Sequence, residues 1–131
     1  MRHPSVMLGV FLALAGLGMA EVRADDITRT PLQKWEIPGT AAYDLNTLHV
    51  VIAAGGTSGR HIHPGVESTY VISGQTDLKI DGQADRELGP GEYFLIEPGT
   101  VHEVLAKGSE PAVLVLSYIT ERGQPMVEPA P

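Results

Sequence analysis

With 131 residues, 16 acidic against 9 basic side chains and a net charge of −7, the chain is sized for one domain. Cysteine is absent, which excludes a disulfide framework and cysteine-based catalysis. An acidic chain without a Lys/Arg cluster is also a poor match for nucleic acid or anionic lipid.

Met1-Arg2-His3 supplies a positive start, Val6 to Leu17 is an apolar run broken only by glycine, and small residues follow at Gly18-Met19-Ala20 and Val22-Arg23-Ala24. This is the layout of a secretory signal peptide over residues 1–24. Cleavage after Ala20 or after Ala24 both fit, and Ala24 leaves a polar start at Asp25-Asp26. The apolar run is shorter than the roughly 20 residues that span a bilayer. With no cysteine behind it to carry a lipid, the expected product is a soluble domain, residues 25–131, in the periplasm or outside the cell, without a membrane anchor.

Short strand signals then follow one another, each cut by a turn. Gln33 to Ile37 ends at Pro38-Gly39, Leu45 to Ala53 at Gly55-Gly56, and Arg60 to His63 at Pro64-Gly65. Glu67 to Ile72 ends at Ser73-Gly74, and Thr76 to Ile80 at Asp81-Gly82. Glu92 to Ile96 follows Gly89-Pro90-Gly91, and Val101 to Leu105 follows Pro98-Gly99. Ala112 to Thr120 is the last. No stretch has helical period, length and caps together. Many short strands with frequent turns predict an all-β fold, here a double-sheet jelly roll over about residues 33–120. The proline-containing tail, residues 121–131, reads as an extended arm or a frayed end.

Two clusters carry the chemistry: Gly55-x5-His61-Ile62-His63-x3-Glu67-x6-Gly74 and Gly91-x5-Glu97-Pro98-Gly99-x2-His102. Side chains two apart on a strand share a face, so His61 and His63 point together. Antiparallel pairing across Pro64-Gly65 would bring Glu67 beside them, and His102 would arrive from a neighbouring strand. Three nitrogens and a carboxylate suit a first-row divalent metal and leave positions for water or substrate. Gly74, Gly91 and Gly99 sit where tight turns need positive φ. Taken alone, the His-x-His pair reads as two surface histidines on one strand, and Glu67 as a solvated strand residue.

These residues resemble the cupin family. The first cluster matches the family's first motif at every signature position. The second matches its glycines and histidine but has Glu97 where proline is usual, Pro98 one place later, and Ala106 where asparagine is frequent. The resemblance implies a single double-stranded β-helix (jelly-roll) barrel of the RmlC-like type. It also implies one divalent metal (iron, manganese, nickel, copper or zinc) held by His61, His63, Glu67 and His102, with Glu67 able to act as general base. Family enzymes include dioxygenases, isomerases, lyases and decarboxylases, and a dioxygenase of the quercetinase-like type on a small organic substrate is the first choice. Two readings stay beside it: a non-catalytic periplasmic protein that binds a small molecule or metal, and a cupin that modifies a carbohydrate. A homodimer covering exposed strand edges is expected. His49 reads as an ordinary strand residue, and Tyr70, Tyr93, Phe94 and Tyr118 as core or pocket wall. Arg60 and Glu103 read as facing away from the metal, and Trp35 as a contact to a partner subunit.

Overall fold

Glycine and proline cut the chain into short pieces, and in the longer inner strands buried residues recur at every second position. The computed structural model describes residues 26–40 and 42–131; the expected signal peptide lies outside the described residues. Ten strands result: β1 (Ile27–Glu36), β2 (Tyr43–Ile52), β3 (His61–Ile62), β4 (Val66–Ser73), β5 (Gln75–Ile80), β6 (Arg86–Leu88), β7 (Tyr93–Ile96), β8 (His102–Lys107), β9 (Ala112–Glu121) and β10 (Glu128–Pro129). They form two five-stranded antiparallel sheets, in the orders β1-β2-β9-β4-β7 and β10-β3-β8-β5-β6. Among the described residues there is no helix.

The inward side chains of both sheets meet in one core. Leu48, Val50 and Ile52 of β2, Leu114 and Leu116 of β9, and Phe94 and Ile96 of β7 face Leu78 of β5, Leu88 of β6 and Val104 of β8. Each such side chain contributes about 1.5–3 kcal/mol by leaving water.

The structure departs from the sequence reading at both ends of the domain. The first strand begins at Ile27 rather than Gln33, because β2 is long enough to pair with it from Ile52 back to Asp44. Pro31 is tolerated there: the strand lies at the sheet edge, and a register shift occurs between Pro31 and Gln33. The tail is an extended arm rather than a frayed end, since Glu128 and Pro129 pair with Ile62 and His61. The short strand β6 was not anticipated.

The pairing expected across Pro64-Gly65 does not form. β3 lies in one sheet, beside β8 and β10, and β4 in the other, between β9 and β7. Gly65 marks the crossing. A Cβ there would stand 2.0 Å from the Ile119 carbonyl oxygen, so only glycine lets the chain pass this close to β9. Gly74, Gly91 and Gly99 take the positive φ expected of them, at 82°, 86° and 72°. The Gly99 amide also donates to the His63 carbonyl oxygen at 2.8 Å, tying the two sequence clusters together. Gly65→Ala is expected to cost about 2–3 kcal/mol, read as a lowered urea midpoint with an unchanged slope.

Candidate metal centre

Each of the four predicted ligands reaches the centre for a reason visible in its strand. His61 and His102 are direct partners across β3 and β8, so their side chains emerge on the same face of that sheet. His63 follows β3 by one alternation. Glu67 comes from the opposite sheet, where β4 places it between Ile96 of β7 and Tyr118 of β9. All four are buried, His63 and Glu67 at 0% and 1% exposure, and one donor atom from each lies within 4.8 Å of every other. The centre is therefore an inter-sheet site rather than one built on a single hairpin.

The orientation of the rings decides what the centre can hold. Each histidine turns its Nδ1 toward a backbone carbonyl: His61 toward Gly59 at 2.6 Å, His63 toward Met126 at 2.6 Å and His102 toward Thr100 at 2.9 Å. A carbonyl only accepts, so each Nδ1 carries the proton and each neutral ring presents a bare Nε2. These Nε2 atoms converge: His61 to His63 at 3.1 Å, His63 to the Glu67 Oε2 at 2.6 Å, and His102 to the same oxygen at 3.2 Å. The other carboxylate oxygen accepts from the Thr69 hydroxyl. Three lone pairs and a carboxylate thus face one another with no donor between them, and only a cation or extra protons can hold them there. Donors about 2.0–2.1 Å from one first-row ion stand roughly 2.8–3.4 Å apart, close to these separations. The residues present fit a divalent metal, and the three carbonyls supply the outer hydrogen bonds that orient ligating histidines.

Burial pushes the His61 imidazole down to about 4, against the smaller opposing effect of the Gly59 carbonyl. For Glu67, burial by itself would raise the carboxyl, but in the metal-free cluster the hydrogen bonds that His102 and His63 donate when Nε2 carries the extra proton outweigh it and hold the group at about 2. The His61 shift keeps a bare nitrogen available into acid.

The other candidate residues separate cleanly. Tyr118 is buried, its ring 4.6 Å from that of His63 and its phenol pushed up by burial. Phe94 is core, whereas Tyr70 and Tyr93 are exposed on the far side of the sheet. His49 lies on that far side too, out of phase with inward Leu48 and Val50. Arg60 faces away, as expected, in a bidentate pair with Asp81 at 2.6 and 2.7 Å. Glu103 also points away but is half-buried, accepting from the Thr57 hydroxyl at 2.5 Å. Sequence reasoning missed Thr69, although its position two residues from Glu67 puts both on one strand face. It also missed the Met126 carbonyl, for which the sequence holds no signal.

A cleft opens beside the centre, lined by His61, Glu67, His102, Tyr118, Ser58 and Arg29 and by an apolar wall that includes Ile27 and Leu114. It encloses about 310 Å³ out to solvent, but only about 20 Å³ of it is wide enough for a water-sized group to move in. That is room for about one or two waters.

Fold and centre together define a two-sheet β-protein with a buried three-histidine, one-carboxylate site able to hold a divalent metal. The chain belongs to the cupin domain family, whose model matches residues 48–118. It is 32% identical over 100 residues to oxalate oxidase GF-2.8 of Triticum aestivum, covering 70% of this chain and 44% of that protein. Germin-like protein 3-3 of Oryza sativa subsp. japonica is 28% identical over 115 residues, 82% of this chain and 50% of its own length. The chain thus spans about half the length of such curated relatives. Among solved structures, oxalate oxidase in complex with the substrate analogue glycolate superposes with a TM-score of 0.65 at 27% identity, over 81% of this chain and 56% of that one. A double-stranded β-helix protein from Klebsiella pneumoniae superposes with a TM-score of 0.59 at 21% identity, over 81% and 88%, and shares the fold.

Two measurements follow from this geometry. Deleting residues 124–131 removes the carbonyl that orients His63, so metal affinity should fall about 10- to 100-fold in competition with a chelator, while circular dichroism keeps its strand signature; unchanged affinity would contradict the role given to the arm. In metal-free protein, His61 titrates near 6.5 unfolded and about 4 folded. Between those values the unfolded chain binds the extra proton, so stability is full above pH 6.5 and is lost as pH falls toward 4, by on the order of 3 kcal/mol. Glu67, at 4.5 unfolded and about 2 folded, adds a second loss below pH 4.5. Urea midpoints measured from pH 7.5 to 3 should trace both, and a flat profile would show that neither shift exists.

Proposed function

We propose that this protein is a metal-dependent oxidoreductase acting on a small organic molecule. The observation that carries this reading is the convergence of three bare Nε2 atoms and the Glu67 carboxylate beside a cleft that opens to solvent. His61, His63, Glu67 and His102 would hold the ion. A bound divalent metal supplies Lewis acidity, and a redox-active one supplies one-electron chemistry with dioxygen. The protein's own contribution is to orient, to exclude water and to place a base. The apolar wall keeps water from the centre, and Glu67, held by Thr69 on one oxygen, keeps the other oxygen free to coordinate or to take a proton.

The size of the cleft sets the substrate class apart from the first expectation. Ligand pockets for drug-sized molecules run from about 300 to 1,000 Å³, and the room beside this centre, about 20 Å³, is far below that range. So narrow a cleft favours a substrate of a few heavy atoms over the three-ring flavonol of the quercetinase-like first choice. Relatives named as oxalate oxidases support the same direction.

The signal-like start of the sequence supports export, with the domain working in the periplasm or outside the cell. We also take the domain to be a homodimer, built on a sheet face rather than on the strand edges first expected. The outward side of β4, β7 and β9 carries Val66, Tyr70, Ile72, Tyr93, Leu95 and Ile119, all exposed and none charged. Such a patch seeks cover, and it is where two acidic copies can approach with least repulsion. Light scattering should give a dimeric mass, and Tyr70→Lys with Leu95→Lys a monomeric one; a monomeric wild type would overturn the dimer.

The enzyme reading is tested by elemental analysis together with oxygen uptake. Near-stoichiometric metal is expected in the wild type and its loss in a His61→Ala/His102→Ala variant. Iron-, copper-, nickel- or manganese-loaded protein should then consume oxygen with a member of a panel of small hydroxy acids, dicarboxylates and diketones. Metal retained without turnover of any substrate would leave a binding protein.

A further inference from the structure

One cation in the cleft has no task within the fold. Alternation along β1 sends Ile27 and Arg29 inward, opposite Ile52 and Val50, which are themselves core. Arg29 therefore lines the same cleft as His61, Glu67 and His102 and is the sole Lys or Arg among the lining residues. Its side chain is solvent-exposed at the rim of the cleft and forms no ion pair or side-chain hydrogen bond with a described residue; its charge does reach the Tyr118 phenol, where it opposes the upward push of burial. The other arginines near acidic groups are engaged: Arg60 by Asp81, and Arg122 by Asp44 and Glu36. The acid that shares the cleft, Glu67, is committed to the histidines and Thr69. The Tyr118 side chain also lines the cleft, and its hydroxyl, with no side-chain hydrogen bond to a described residue, is open to the cleft rather than sealed in the core. A guanidinium and a phenol thus stand at one apolar cleft with unused donors.

We propose that Arg29 is the anion-recognition residue of this cleft, pairing with the carboxylate of a small organic acid whose second oxygen function faces the histidine cluster. The planar guanidinium fork matches a carboxylate bidentately. The apolar wall and the small room select a short acid, with a hydroxyl, oxo or second carboxylate group a few atoms away. This inference deepens the oxidoreductase reading and rests on its metal centre. The competing explanation is that Arg29 guards an edge strand, where inward-pointing charges discourage edge-to-edge association. That role would need no ligand.

Zinc-loaded full-length protein allows binding to be read without turnover. Isothermal titration with glycolate and malonate, and with the neutral glycolamide and malonamide, is expected to show binding of the acids and much weaker binding of the amides. Arg29→Gln should lower affinity for the acids about tenfold to a hundredfold and leave the amides unaffected, with zinc stoichiometry as in the wild type. Arg29→Lys, which keeps the charge but not the fork, should recover part of the loss. Acid binding by Arg29→Gln at wild-type affinity, amides bound as tightly as acids, or no acid binding by the zinc-loaded wild type would overturn the role of Arg29 while leaving the metal centre standing. A wild type that takes up no zinc would overturn the metal centre, and this inference with it.

Discussion

Four groups that can only accept hydrogen bonds point at one another in the interior of this protein, and the rest of the structure is arranged to keep them there. Burial makes such a cluster costly, because lone pairs removed from water without donors have lost their hydration and gained nothing. The cost is offset when a cation occupies the centre. The backbone carbonyls of Gly59, Thr100 and Met126 settle the matter by taking the Nδ1 protons. In the other tautomer the same histidines would present Nε2–H groups to Glu67 and satisfy it without any metal.

That requirement explains features of the fold that otherwise look incidental. The chain must leave one sheet after His63 and enter the other before Glu67, which is why the crossing passes over a glycine in contact with β9. The turn before β8 must hold His102 level with His61, and the Gly99 amide secures it to the His63 carbonyl. The C-terminal arm, remote in sequence, returns to cap His63 and to extend the second sheet by one short strand. Asp44, buried at the far end of β2, is paired separately with Lys34 and Arg122.

Much of this was legible beforehand. The spacing of His61, His63, Glu67 and His102 carried the convergence of these four side chains, and the glycine and proline punctuation carried the two-sheet fold, because both follow from strand periodicity and turn chemistry, which are local. What escaped the sequence depends on contacts between distant segments. Nothing local distinguishes a hairpin at Pro64-Gly65 from a crossing between sheets; only the proximity of Ile119 does. Nothing in Met126 announces that its carbonyl serves His63. Arg29 was passed over because the first strand was placed from Gln33, and only the pairing of Ile27 and Arg29 with β2 turns that side chain inward.

The convergence of bare Nε2 atoms is open to direct observation. Long-range ¹⁵N–¹H correlation of the imidazole rings, in metal-free and zinc-loaded protein at neutral pH, reports which nitrogen of each histidine bears the proton. The expected result is protonated Nδ1 in His61, His63 and His102 of the zinc-loaded form, with all three Nε2 resonances moved by zinc and that of His49 unmoved. Nε2-protonated rings in the presence of zinc, or Nε2 resonances that do not respond to it, would contradict the metal centre on which the functional reading stands.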